Sequence, residues 1–417
     1  MGEIIEADVA VIGGGIIGLG IAWGIACSGR SVVVIDPKPA DGATYAAAGM
    51  LAPVSEMHYQ EEELLELMLA SSSLYPAFIE SLGAESGSDD IGSQTGYQTT
   101  RTISVGVDAA DRRALADLQG VQRGIGLAID TLTIREARVL EPMLSPQLSG
   151  AFLAPHDHQV DPRRLAAQLR QALSALRISS GWANEVEVPH TAIGLTHDDQ
   201  LDATSRVTGV ELSNDSAIHA SEVIVANGIA AAQLAGLPEW LNLPLRPVFG
   251  DILRLRVPEH LRPLLTCTVR GVVHGVPIYV VPRADGTVVI GASQREDGFS
   301  GVSAGSVYQL LRDAQAIVPA VGELELLEVT ARARPGTPDN APLLGRVPIR
   351  LEGDTDSIPG LIIATGFFRH GVLLTPIAAQ YCRQLVEGTG DARWAPFRPE
   401  RFSNPESPAA TAEDFQL

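Results

Sequence analysis

At 417 residues the chain exceeds the size that a single hydrophobic core usually serves, so two domains or one elaborated domain are expected. An apolar fraction of 45% fits a globular protein, and a formal net charge of −20 argues against nucleic acid or an anionic membrane as a partner. Three cysteines, far apart and odd in number, form neither a disulfide framework nor a metal spacing, and Lys38, the only lysine, makes a Schiff-base mechanism implausible.

The N-terminal stretch reads as a βαβ unit. Asp8 to Ile12 is an apolar strand, Gly13 to Gly18 a glycine turn, Leu19 to Cys27 a helix, and Ser31 to Ile35 a second strand closed by Asp36. Gly13 permits a tight turn off the strand, Gly15 lets the backbone approach a pyrophosphate, and Gly18 lets helix and sheet pack closely. The N–H groups at the helix start favour the anion, and Asp36 can accept hydrogen bonds from an adenosine ribose. The unit therefore predicts a bound dinucleotide. Glu3, Glu6 and Asp8 have the wrong sign for a secretory leader, and a soluble cytoplasmic protein is expected.

Further along, Pro37 to Pro53 is rich in small residues and turn formers; the small side chains of Ala46 to Gly49 would let the backbone lie against a flat ring or a phosphate, and a tightly packed helix start is the alternative. Glu61 to Leu82 is an amphipathic helix with a break expected near Pro76, and Ala84 to Gln94 reads as a connection. Tyr97 to Val107 reads as a strand, Asp108 as the cap of a helix reaching about Arg123, and Thr133 to Glu136 as a capping box for a helix ending at Glu141. His156 and His158 hold two potential metal ligands without a third, so a loop turn is expected there. Asp161 and Pro162 open a helix through Leu176.

Val207 to Leu212 and Ala217 to Ala226 are predicted strands, the second returning to the nucleotide-binding unit and leading through Asn227-Gly228 into a small-residue helix. Arg246 to Val257, Val276 to Pro282 and Thr287 to Ala292 suggest a second, mostly antiparallel sheet. Ser303 to Val318 is a helix, Leu324 to Ala333 is strand-like, Ile362 to Thr365 is a strand and Val372 to Glu387 a final helix. Residues beyond Pro396 read as a loose tail.

Three late segments could carry chemistry. Arg334, expected immediately before a Pro-Gly turn, suits bidentate capture of a carboxylate. Gly366 to Gly371 is a glycine-bracketed loop opening a helix without an acid in its first turn, suited to a ring that gains negative charge. Tyr279 places a hydroxyl in an otherwise apolar strand, where it needs a partner if buried.

On these residues the chain resembles the D-amino acid oxidase family of flavoproteins, most closely the glycine oxidases of thiamin biosynthesis. The resemblance runs from about Ala7 to Arg401. It is carried by Val11 to Gly18, Ala46 to Leu51, Tyr279 to Arg283, Gly291 to Ser293, Arg334 to Thr337 and Gly366 to Leu374. It implies an α/β fold, with a Rossmann-like FAD-binding domain and an inserted antiparallel β-rich substrate domain. The expected division assigns 1–85, 150–235 and 330–400 to the FAD domain, 86–149 and 236–329 to the substrate domain, and 401–417 to a tail.

The resemblance also implies non-covalent FAD. Besides Gly13, Gly15 and Gly18, the matching positions Ile16, Ile17, Asp36, Pro37, Ala43, Thr44, Ala48, Gly49, Met50 and Val186 would contact it. Gly366, Phe367, Phe368, Arg369, His370, Gly371, Val372 and Leu373 would lie along its isoalloxazine. Arg334 would pair with a substrate carboxylate, Tyr279 would add a hydrogen bond, and Arg369 would lie at the substrate site. The implied partners are a small amino acid and molecular oxygen; oligomeric state, including a homo-oligomer, stays open. Gln294 stands where these oxidases carry methionine, and Phe367 and His370 where they often carry His and Asn, which leaves substrate preference open. A dehydrogenase using a non-oxygen acceptor is the alternative.

Overall fold

The computed structural model describes residues 4–86, 90–198, 205–349 and 356–403. Its first sheet is built around the strand Ile4–Ile12, which lies parallel to Val32–Ile35 on one side and to Ala217–Val225 on the other. Ser357–Thr365 extends this parallel core, with Leu343–Pro348 antiparallel at its edge. The central strands are buried on both faces, as expected of a sheet covered by helices on one side and by further chain on the other. The helices Ile16–Ala26, Glu62–Ser86, Pro162–Ser180 and Thr375–Val386 share one core with that sheet.

Among the described residues each of the two large sheets has eight strands. From one edge the second runs Glu325–Gly336, Arg246–Arg256, Thr287–Gly291, Val276–Pro282, Thr268–Val273, Thr102–Gly106, Gly150–Ala154 and Asp130–Leu132. Every pair is antiparallel except Thr268–Val273 with Thr102–Gly106. The helix Ala304–Ile317, capped by Ser303, closes its core.

The capping predictions match the local chemistry. Asp108 and Thr133 each form a complete capping box, and Asp161 caps a helix with Pro162 in its first turn. Several expectations need correction. The first helix begins at Ile16, and the helix Glu62–Ser86 passes through Pro76 without a break. Pro76 lies on the exposed side, while Tyr75 Oη and Ser71 Oγ donate to the Val372 and Leu373 carbonyls and hold the helix to the core. In the expected 84–94 connection, residues through 86 are helical, Ile91–Thr95 is a short helix, and 87–89 lie outside the described residues. The predicted strand from Tyr97 starts only at Thr102.

The small-residue helix after Asn227 is 3-10, and the last helix starts at Thr375, preceded by a 3-10 turn over Phe368–His370. The tail expected beyond Pro396 is ordered where it is described: Phe397, which ends the 3-10 turn Ala392–Phe397, is buried, Pro399–Phe402 forms another 3-10 turn, and Arg401 pairs with Asp339 at 2.9 Å; residues 404–417 lie outside the described residues. Among the described residues no helix is long and apolar enough to cross a membrane.

Candidate active site

A cavity of about 620 Å³ lies where the two sheets meet. Its nucleotide end is formed by the glycine turn. A side chain at Gly13, which has φ +106°, would collide with the Ala226 backbone, and one at Gly18 with the Gly13 carbonyl. Both positions are glycine for packing. A side chain at Gly15 would meet only Thr44 Oγ1, at 3.5 Å, so its absence leaves the backbone open to the cavity it lines.

Asp36 is fixed by two backbone donors, Gly14 N–H at 2.7 Å and Lys38 N–H at 2.8 Å. Thr44 Oγ1 accepts the Ile16 N–H at 2.9 Å and ties the small-residue segment to the helix start. Of the residues expected at a dinucleotide, Gly13, Gly15, Ile16, Ile17, Asp36, Ala43, Thr44, Ala48, Gly49 and Met50 line the cavity, as do Gly366, Phe367, Phe368, Arg369, Gly371 and Val372. Five others do not. Gly18 serves helix packing, Pro37 is exposed, and Val186, His370 and Leu373 are buried behind the wall. The Val186 carbonyl accepts the Val34 N–H at 2.6 Å, which accounts for its backbone.

The other end of the cavity is built on the second sheet. Arg334 lies within the strand Glu325–Gly336 rather than before a turn. Pro335 does not end that strand, because it lies at the sheet edge, where a missing N–H costs no ladder bond. Arg334 Nη1 donates to the Ser293 carbonyl at 3.4 Å. Ser293 is tied in turn to Asp251, whose carboxylate also takes Arg295 Nε at 3.0 Å. Burial works against ionisation of Asp251, yet the bonds from Ser293 and Arg295 hold its pKa below the ordinary value. Tyr279 lies opposite Gly291 across the ladder, and a side chain at Gly291 would strike its hydroxyl. Burial raises the Tyr279 pKa and the Arg334 charge opposes the rise, so the phenol is a neutral donor.

Four arginines line the cavity, and three already have carboxylates. Arg270 pairs with Glu56 at 2.7 Å, Arg369 with Glu61 at 2.9 Å and Arg332 with Asp41 at 2.9 Å. Among the described residues Arg334 has no ion pair. An unpaired guanidinium beside a neutral phenol has the donors that one carboxylate needs.

The sequence of residues 8–385 matches the model of the FAD dependent oxidoreductase family, DAO. The chain belongs to this family. The glycine oxidase of Geobacillus kaustophilus is 33% identical over 384 residues, covering 91% of this chain and 93% of that protein. A crystal structure of glycine oxidase from the same species superposes with a TM-score of 0.80 at 30% identity, over 95% of this chain and 99% of that one. The bifunctional protein ThiO/ThiG of Trichormus variabilis is 30% identical over 96% of this chain, which spans only 56% of that relative. The cofactor of this FAD-dependent oxidoreductase is FAD, and the cavity suits it. Gly15 leaves backbone open at the helix start, and Asn227 Oδ1, buried without a partner among the described residues, offers an acceptor in the wall.

Sequence reasoning missed the polar wall formed by Glu56, His58 and Arg270, and Glu61 that pairs with Arg369. Burial, followed by the Arg369 charge, lowers the His58 pKa and keeps the imidazole neutral. His370 is buried and its pKa falls well below the ordinary value for the same two reasons; its Nε2 accepts from Arg369 Nε at 3.0 Å. Arg270 escaped notice because its strand, Thr268–Val273, was not among the expected ones and its carboxylate partner Glu56 is far away in sequence. The pair His156 and His158 contributes to no metal cluster among the described residues. Asp157 between them accepts the Val54 and Ser55 N–H groups, at 3.2 and 2.9 Å, and fixes the segment leading to Glu56.

Proposed function

We propose that the protein oxidises the Cα–N bond of glycine and other small amines or D-amino acids, yielding a 2-oxo acid, ammonia and hydrogen peroxide. The observation that carries this reading is Arg334, the cavity arginine without a carboxylate among the described residues, on the sheet facing the nucleotide turn. The glycine oxidase name of the Geobacillus relative supports glycine as substrate, and the ThiO/ThiG name of the Trichormus relative supports supply of an intermediate for the thiazole of thiamin.

The residues that would hold FAD non-covalently are Gly13, Gly15, Ile16, Ile17 and Asp36 at its adenosine half, with Ala43, Thr44, Ala48, Gly49, Met50, Gly366, Phe367, Phe368, Arg369, Gly371 and Val372 along its ring. When bound, FAD supplies a two-electron acceptor for the hydrogen on the substrate Cα and passes the electrons on to oxygen. Arg334 holds the substrate carboxylate and Tyr279 adds a neutral hydrogen bond, so the reacting carbon has one orientation. Phe367, Phe368 and Val372 restrict water at that carbon. The balanced reaction joins glycine, oxygen and water into glyoxylate, ammonia and hydrogen peroxide.

The test is aerobic turnover of purified, FAD-loaded protein over a panel of glycine, sarcosine and small D-amino acids, with peroxide and ammonia both measured. Equimolar peroxide and ammonia from glycine are expected. Turnover only with an artificial acceptor, with no peroxide in air, would replace the oxidase reading with a dehydrogenase.

A further inference from the structure

Arg283 ends the motif Tyr279 to Arg283, yet it does not line the cavity and has no part in the chemistry above. It is 9% exposed, and among the described residues it has no ion pair. Its guanidinium is spent on neutral acceptors: the Ala48 carbonyl, the Val160 carbonyl at 2.9 Å and Gln159 Oε1 at 3.3 Å. Two other arginines of the same sheet do something similar. Arg254 Nη2 donates to the Tyr45 carbonyl at 3.2 Å, and Arg332 Nε to the Asp41 carbonyl at 2.7 Å.

The three acceptors are residues 41, 45 and 48 of one short segment, and the three donors come from different places in the second sheet. Arg254 is in the strand Arg246–Arg256, Arg283 just past Val276–Pro282, and Arg332 in Glu325–Gly336. The segment gains little fixation of its own, since its helix spans only Ala43–Ala46. Ala46 and Ala48 pack on Ile252, Val281 and Val289 of that sheet. Burying a guanidinium against carbonyls alone is costly, and among the described residues both Arg254 and Arg283 leave a buried Nε without an acceptor. Desolvation lowers the pKa of each, that of Arg283 to about 10, so both stay charged at neutral pH.

We propose that Arg283, aided by Arg254 and Arg332, is a positioning residue that clamps the 41–48 carbonyls onto the second sheet and so sets the place of the FAD-lining segment Ala43–Met50. The clamp couples the two sheets across the cofactor. Ala48 itself lines the cavity, and Asp41 and Tyr45 alternate with lining residues, so the three contacts hold the one stretch whose backbone shapes the cavity wall.

The experiment titrates FAD into the full-length apoprotein of wild type, R283K and R283M, following flavin fluorescence and the visible absorption bands, with the melting temperature of apo and FAD-loaded forms measured in parallel. R283M is expected to weaken FAD binding about tenfold or more, the scale of a lost charge-assisted bond, and to shift the flavin bands. R283K, which can reach fewer of the carbonyls, should fall between it and wild type. A folded R283M with wild-type FAD affinity and spectrum, its apo and loaded melting points lowered equally, would overturn the proposal. If R283M does not fold, R283Q, which loses the charge and cannot reach all three acceptors, carries the test: weakened FAD binding in folded R283Q supports the clamp, and wild-type binding and spectrum overturn it.

Discussion

The guanidinium of Arg334 occupies the space that a side chain on Gly250 would need: a Cβ there would collide with Nη1, Nη2 and Cζ. The two residues sit on neighbouring strands of the second sheet, so the missing side chain gives the arginine its room. Gly250→Ala should therefore behave as a milder form of Arg334→Ala. Both are expected to raise KM for glycine, Arg334→Ala by about ten- to hundredfold, the range of a lost charge-assisted hydrogen-bonded contact. FAD content, read from the visible spectrum after gel filtration, should not change. An unaltered KM for glycine in Arg334→Ala removes the carboxylate assignment.

Asp36 tests the opposite end of the cavity. Its carboxylate orders the Gly14 and Lys38 amides and has acceptor capacity left for ribose hydroxyls. Asp36→Ala should weaken FAD binding by about tenfold or more, with little change in KM for glycine in the fraction that remains loaded. FAD titration monitored by fluorescence quenching measures this, and wild-type affinity would place the adenosine elsewhere.

The nucleotide end was legible because its signals are local. A strand, three glycines with distinct steric tasks and a terminal acid all fall within residues 8–36, and each task depends on backbone that the same stretch provides. The substrate end is assembled from distant pieces. Arg334 was singled out and does line the cavity, but its strand context was misread because Pro335 and Gly336 look like a turn and are tolerated only at a sheet edge. Glu56, Glu61 and Arg270 gave no signal, since their meaning lies in pairs 214 and 308 residues apart in sequence, Glu56 with Arg270 and Glu61 with Arg369. Pro76 misled for a related reason: the bonds from Ser71 and Tyr75 that hold its helix come from the other end of the chain.

Asp157 gives a pH signature. Burial raises its pKa from 3.8 to about 6, despite the bonds from Ser55 and Val54 that favour the ionised form. The folded state then binds a proton that the unfolded state has lost, so this residue's contribution to stability falls as pH rises from about 4 to 6 and levels off above. His370 acts in the other direction, because its lowered pKa makes folding less favourable as pH drops below the ordinary histidine value. The two are separated by difference. Subtracting the melting temperature of Asp157→Asn from that of wild type should give a value that declines between pH 4 and 6 and is flat from 6.5 to 8. A difference constant over the whole range would mean that Asp157 ionises normally.

Glu61 decides how many charges the cavity offers a substrate. It accepts Arg369 Nη2 with both oxygens, at 3.1 and 2.9 Å, and Asn340 Nδ2 at 3.1 Å, so Arg369 enters the wall already neutralised. Glu61→Gln keeps an acceptor for these donors and removes the countercharge. Arg369 then becomes a second uncompensated cation in the same cavity as Arg334, and an amine bearing two carboxylates gains an interaction that glycine cannot make. At the effective dielectric of a partly buried site this amounts to roughly 1 to 2 kcal/mol, or about tenfold. The ratio of kcat/KM for iminodiacetate to that for glycine should rise by about that factor in Glu61→Gln, and the increment should shrink with added salt. Combining Glu61→Gln with Arg369→Gln should return the ratio to the wild-type value. A ratio that rises equally in the double variant would assign the effect to a change in cavity shape instead of charge.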